Sequence, residues 1–125
     1  MSLLKHEELA VRRGRRSGIY VVVAIHSTAL GPSLGGARLW CYGGLGDTIA
    51  DALRLSEAMT YKAAAAGLDL GGGKAVVCVP PDRELSAEDR RTLMLDLGDV
   101  VQSLDGRYVT AEDVGTGAGD MAVIA

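Results

Sequence analysis

Met59-Thr-Tyr-Lys-Ala-Ala-Ala-Ala-Gly-Leu-Asp-Leu-Gly-Gly-Gly-Lys74 is the stretch on which the reading of this chain turns. It sets Lys62 and Lys74 at either side of an alanine run, a glycine stop and three consecutive glycines. An isolated ammonium is costly to bury, so a lysine among small apolar residues asks for a reason. Three glycines in a row remove every Cβ and let another molecule come close to the main chain. The expectation is a pocket floor with one cation fixed on a helix and a second just past a tight glycine turn. An anion such as a carboxylate fits between them.

Upstream, Ile49, Ala52, Leu53, Met59 and Ala63 keep helical spacing, which predicts a helix over 47–66. Asp47 is its expected cap, Asp51 a first-turn acid and Gly67 its stop. Downstream, 74–79 reads as a buried strand closed by Pro80-Pro81. Ser86 and Asp89 stand at capping-box spacing and open a helix to about residue 104. A turn at Asp105-Gly106 leads to a strand over 107–111, a glycine-rich loop over 112–119 and a helix from Asp120.

Towards the start, 8–13 alternates apolar and polar residues, and 19–25 is a β-branched run. A short polar link joins them, which predicts an antiparallel hairpin. Arg12, Arg13, Arg15 and Arg16 are expected at a solvated hairpin tip, and His26 at a polar strand end. A loop over 30–36 precedes a strand over 37–42. Cys41 and Cys78 each fall inside a predicted strand and read as buried small hydrophobes in a reduced compartment. Strands first, then alternating strand and helix, give an α/β class: a mixed β-sheet flanked by helices, opening with an antiparallel hairpin.

The 125 residues are read as one domain, nearly half apolar (48%) and 23% charged. A net charge of −3 argues against a nucleic-acid partner. No apolar run approaches ~18–20 residues and no signal peptide opens the chain, so a cytoplasmic protein without a membrane partner is expected. No histidine, cysteine or carboxylate cluster has metal-ligand spacing, so no metal is expected. Gly71–Lys74 is not a phosphate loop, because Leu68 occupies the required glycine position and Ala75 that of the hydroxyl residue. Gly115-Thr-Gly-Ala-Gly119 falls one residue short of the dinucleotide fingerprint and has no following βαβ unit.

Lys62, Lys74 and Asp113 remain. Two readings stand side by side: a site at a strand end, or a structural Lys74–Asp113 ion pair with Lys62 an exposed helix residue.

Gly31-Pro-Ser-Leu-Gly-Gly36, Asp51-Ala-Leu-Arg-Leu55, Met59-Thr-Tyr-Lys62, Gly67-Leu-Asp-Leu-Gly-Gly-Gly-Lys74 and Gly106-Arg-Tyr-Val-Thr-Ala-Glu-Asp-Val-Gly115 closely resemble the amino-terminal domain of the glutamate, leucine, phenylalanine and valine dehydrogenases. The likeness is nearest the leucine/valine branch. It implies oxidative deamination of a branched-chain L-amino acid to the 2-oxo acid and ammonia, with NAD as acceptor. It implies that Lys62 binds the substrate carboxylate, assisted by the Leu34-Gly35-Gly36 turn, with Met59 lining the site. Lys74 becomes the acid/base, and Asp113 handles protons at the substrate nitrogen and holds Lys74. Ala63 departs from the asparagine more common in relatives. The resemblance further implies a second, NAD-binding domain after residue 125. Residues 1–125 are thus expected to be a substrate-binding and oligomerisation domain, inactive alone, with no cofactor-binding residues of its own. A non-catalytic oligomerisation module is the competing reading. A homo-oligomer is expected, with 8–13 as the edge strand near a two-fold interface, Leu9 and Val11 beside it, and 19–25 as an inner strand.

Overall fold

The protein is described by a computed structural model covering residues 5–81, 84–113 and 115–125. Val114, part of the 106–115 motif, lies outside the described residues. Strands β1 (Glu8–Arg13) and β2 (Tyr20–Ser27) form the expected antiparallel hairpin. Strand β3 (Ser33–Trp40), helix α1 (Leu45–Ala65) and strand β4 (Gly71–Cys78) follow. Helix α2 (Ala87–Ser103), strand β5 (Tyr108–Glu112) and helix α3 (Ala118–Ile124) complete the order. The sheet runs β1-β2-β4-β3-β5, antiparallel through β4 and parallel from β4 through β3 to β5. This is the mixed sheet the sequence predicted, with β1 at an edge and β2 inside.

The β-branched run of β2 is buried on both faces. Val22 and Ala24 point, with Val76 of β4, to Ala52 and Leu53 of α1. Val21, Val23 and Ile25 point the other way, with Val77, to Leu93, Met94 and Leu97 of α2. Period-two alternation thus divides one strand between two cores. Ser86 caps α2 as its spacing implied, its hydroxyl accepting from the Asp89 N–H at 3.0 Å while the Asp89 carboxylate accepts from Ser86 N–H.

Several expectations are corrected. Gly71–Gly73 is no turn but the first part of β4, and Leu34-Gly35-Gly36 lies within β3. These glycines serve close approach. A Cβ on Gly72 would land on the backbone N of Thr60 and the carbonyl of Ser56, and one on Gly73 would come within 2.7 Å of the Tyr108 ring. Strand β3 begins at Ser33 because it pairs in register with this glycine strand, Ser33 beside Gly71 through Trp40 beside Cys78. Cys41 therefore falls beyond β3 and is exposed, while Cys78 ends β4 and is half-buried. Gly44, with no side-chain cap, precedes α1; Asp47 occupies its first turn and Asp51 lies deeper in the helix. The hairpin tip is only partly solvated. Arg16 bonds Asp96 at 3.0 Å and Asp99 at 2.8 Å, and buried Asp96 also accepts from the Ser17 N–H and hydroxyl.

Substituting Gly72 by Ala is expected to lower stability by about 3 kcal/mol or more, because helix backbone cannot yield to the new methyl. Gly46 in α1 has open space around it, so Gly46→Ala is expected to raise stability by about 0.5–1 kcal/mol. Urea unfolding of the two variants checks the pair; equal midpoints would contradict the contact.

Candidate functional site

Helix α1 packs over β4 and β2 and leaves the β3–β5 half of that face uncovered. The result is a cleft of about 400 Å³. Its walls are Leu55, Met59 and Lys62 of α1 against Leu34, Gly36 and Arg38 of β3, and Lys74 of β4 stands in its floor. Ala111, Glu112 and Asp113 close the end beside β5. Sheet geometry selects these residues, since alternate positions of β3 and β4 share one face.

Lys74 is only 6% exposed, and its Nζ is ion-paired with Asp113 Oδ2. Lys62 is exposed on the cleft rim. The structure therefore brings together every residue that the sequence singled out: Lys74 and Asp113 in contact, and Lys62, Met59, Leu34, Gly35 and Gly36 lining the same cleft. The Lys74–Asp113 ion pair of the structural reading is present, and it opens into the cleft.

Asp113 is fixed from three sides. Its backbone N–H donates to Thr116 Oγ1 at 2.9 Å, and that hydroxyl donates to the Ala37 carbonyl at 2.8 Å. Gly36 makes room for it, since a Cβ there would come within 2.6 Å of the Asp113 Cβ. Arg38 Nε donates to Asp113 Oδ2 at 3.1 Å, and Arg38 Nη1 lies 3.6 Å from Asp51 Oδ2. Burial works against the Arg38 charge, but Asp113 and Asp51 outweigh it and raise the guanidinium above its ordinary pKa. Burial likewise opposes ionisation of Asp51, yet the Tyr42 hydroxyl and Arg54 hold its carboxyl below the usual range. Burial and the adjacent Asp51 carboxylate push the Tyr42 hydroxyl up.

The floor has its own support. Between the Leu34–Gly72 and Ala37–Ala75 pairs of β3 and β4 lie Gly35 and Gly73, where a Cβ on Gly35 would meet the Gly73 carbonyl. There the Gly35 carbonyl accepts from the hydroxyl of Tyr108, buried beneath, at 2.7 Å.

Arg38, Tyr108 and Thr116 were missed by sequence reasoning. Arg38 carried the one usable signal, a charge inside a strand expected to be covered. His26 keeps its strand-end role, its Nδ1 2.7 Å from Thr60 Oγ1 and its ring edge-on to His6. Burial, then the neighbouring His6, holds its imidazole below the ordinary pKa. Among the described residues, no group of three or more His, Cys, Asp or Glu is placed to hold a metal ion. None of the helices among them is long and apolar enough to cross a membrane.

The sequence profile of the Glu/Leu/Phe/Val dehydrogenase dimerisation domain matches residues 6–125. Valine dehydrogenase of Streptomyces coelicolor is 51% identical over 120 residues, 96% of this chain and 32% of the relative. Leucine dehydrogenase of Bacillus subtilis is 47% identical over 124 residues, 99% of this chain and 33% of the relative. Among solved structures, L-tryptophan dehydrogenase from Nostoc punctiforme superposes with a TM-score of 0.85 at 37% identity, covering 97% of this chain and 35% of that one. The hetero-hexameric glutamate dehydrogenase from Thermus thermophilus, in its Leu-bound form, gives 0.80 at 25% identity, covering 95% and 30%. The chain thus spans about a third of the length of the curated relatives it matches.

Replacing Tyr108 by Phe keeps the buried ring but removes the hydroxyl bond to the Gly35 carbonyl. The expected cost is about 1–3 kcal/mol in unfolding free energy. Chemical denaturation reads it directly, and an unchanged value would mean that the hydroxyl does not hold the floor.

Proposed function

This chain belongs to the Glu/Leu/Phe/Val dehydrogenase family, and we propose that residues 1–125 form the substrate-binding and oligomerisation domain of an NAD-dependent L-amino-acid dehydrogenase. The reaction is the oxidative deamination of a branched-chain amino acid, leucine or valine, to the 2-oxo acid and ammonia, and its reverse. The observation that carries this reading is the pairing of buried Lys74 with half-buried Asp113 at the floor of a cleft whose rim carries Lys62. A module serving assembly alone has no need of a buried ammonium opening into a cleft.

In this reading Lys62 and the Leu34-Gly35-Gly36 segment bind the substrate carboxylate. Leu34, Leu55 and Met59 give an apolar wall for an aliphatic side chain. Neutral Lys74 takes a proton from the water that attacks the imino carbon; in the reverse direction its ammonium polarises the carbonyl oxygen. Asp113 receives and returns protons at the substrate nitrogen. Burial of Lys74 withholds it from bulk water, so the exchange runs through the cleft.

The residues present do not fit NAD. The glycine-rich stretch before α3 leads to a seven-residue helix whose start is filled by its own Asp120 carboxylate, which accepts from the Gly117 N–H at 3.0 Å and pairs with Arg90. A pyrophosphate has no free helix end there. NAD binding is assigned to a portion of the enzyme outside these residues. A cytoplasmic setting agrees with the exposed, free Cys41 thiol.

Assembly follows from the sheet. Strand β1 is an edge, and its Leu9 and Val11 are half-buried at the border of the α1-side core. Pairing of β1 with its two-fold copy gives an isologous contact and a homodimer or larger assembly.

In a dehydrogenase carrying this chain, Lys74→Ala is expected to lower kcat by about 10²–10⁴. Lys62→Ala is expected to raise KM for the amino acid with a smaller change in kcat. Steady-state kinetics with leucine and valine separate the roles, and identical signatures would overturn them. Light scattering of the chain at micromolar concentration is expected to give the mass of two or more copies. The mass of a single copy would contradict pairing at β1.

A further inference from the structure

Helix α1 is held unequally on its two flanks. On one, Leu55, Met59 and Lys62 face the open cleft. On the other, Leu53, Ser56 and Thr60 follow one another at helical steps of three and four, and they meet two histidines. The Nε2 of His6 lies 2.9 Å from the Leu53 carbonyl and 3.1 Å from the Ser56 hydroxyl. A carbonyl only accepts, so this nitrogen carries the hydrogen. The Nδ1 of His26 lies 2.7 Å from the Thr60 hydroxyl. His26 reaches it from an irregular point in the sheet. Ile25 pairs with Gly73 and Ser27 with Gly72, so His26 is the extra residue of a bulge, a device that re-aims a side chain.

We propose that His26, backed by His6, is a positioning residue: it holds Thr60 down on Gly72, fixes the roll of the last turns of α1, and so sets where Lys62 stands on the cleft rim. The inference rests on the proposed binding of the substrate carboxylate by Lys62 and deepens it. The Thr60 hydroxyl is caught between His26 and the bare main chain of Gly72, where a Cβ would come within 2.3 Å of it. The Tyr61 ring centroid stands 6.2 Å from that of His26, so the residue just before Lys62 lies beside the same junction. Lys62 itself is exposed, and its place is set by the helix that carries it. The cleft is open volume and resists no roll of α1 in its direction. The histidine bonds act from the opposite flank.

This arrangement separates the position of the helix from its formation. Helix α1 is 21 residues long, and Ala52 and Leu53 anchor its middle on Val22, Ala24 and Val76. Losing one hydrogen bond near the C-terminal end leaves that helix formed. What it gains is freedom to shift over Gly72, which has no side chain to interlock with it. Lys74 stands on β4 and is not carried by α1, so it keeps its place when Lys62 moves. A displaced Lys62 weakens the hold on the carboxylate before and during the chemical step alike, which appears in KM rather than kcat.

Steady-state kinetics of a dehydrogenase carrying this chain test the proposal. His26→Ala is expected to raise KM for the amino acid by about two- to tenfold, the weight of one hydrogen bond, with kcat held. His26→Asn, whose side-chain amide can take the place of Nδ1, is expected to restore KM. In a Lys62→Ala background, His26→Ala is expected to raise KM no further, because the effect passes through that lysine. In this chain, hydrogen exchange of the amides over 59–62 is expected to quicken in His26→Ala and to return to the parent rate in His26→Asn. An unmoved KM in His26→Ala, where Lys62→Ala raises it, overturns the proposal even if the unfolding midpoint falls, since a merely structural bond gives that result. Unmoved exchange overturns it as well, and so does a loss of kcat at constant KM. If His26→Ala does not fold, Thr60→Val decides by removing the same bond from the helix side: a raised KM supports the proposal and an unchanged one overturns it. If Lys62→Ala itself leaves KM unmoved, the carboxylate reading falls, and exchange over 59–62 judges His26 alone.

Discussion

The backbone of α1 rests on bare main chain. At Gly72 there is no side chain to hold the helix off the sheet, and Thr60 and Ser56 occupy the space that a Cβ would need. That contact sets the height of α1 over β4. Lys62 lies just beyond Thr60 on the helix and Lys74 just beyond Gly72 on the strand, so one close approach places both lysines beside one cleft. A helix standing further off would widen the cleft and move Lys62 away from its floor. The neighbouring glycines extend the arrangement, with Gly36 giving space to Asp113 and Gly73 lying against Tyr108.

Two carboxylates, buried Asp96 and half-buried Asp113, show how similar chemistry serves different ends. Asp96 accepts from the N–H and hydroxyl of Ser17 and from Arg16, and these bonds tie the hairpin tip to α2. Burial raises the cost of its charge, but the Ser17 and Arg16 bonds prevail and its carboxyl stays below the usual range. Asp113 instead faces a cleft, and one of its cations is an amine able to exchange a proton. Pairs of this kind add little net stability, because desolvation offsets attraction.

Much of this was legible in the sequence, and the failures have physical causes. The hairpin, the capping box at Ser86 and the helical spacing of α1 are local patterns, and each appears in the structure. Lys62 and Lys74 stand out in the sequence as charges among small or apolar residues and Asp113 by its place just beyond a strand end, and the structure adds that all three meet at one cleft. The triple glycine was misread because glycine permits both turns and extended strands, and only the partner element decides between them. Gly72 is extended because α1 lies against it, a contact that no local window contains. The limits of β3 followed from the same error, which carried Cys41 into a strand it does not occupy. Arg38 stayed hidden because its partners, Asp51 and Asp113, come from a helix and a loop that only the fold brings to it.

The glycine floor also bears on how such a sequence can diverge. Every other amino acid adds a Cβ, so any single-codon replacement at Gly72 drives matter into helix backbone. The walls are different: Leu34, Leu55 and Met59 project into open volume and can change in size one at a time. A lineage built on this domain is free to explore the shape of what it holds, while the surface beneath offers mutation no intermediate step.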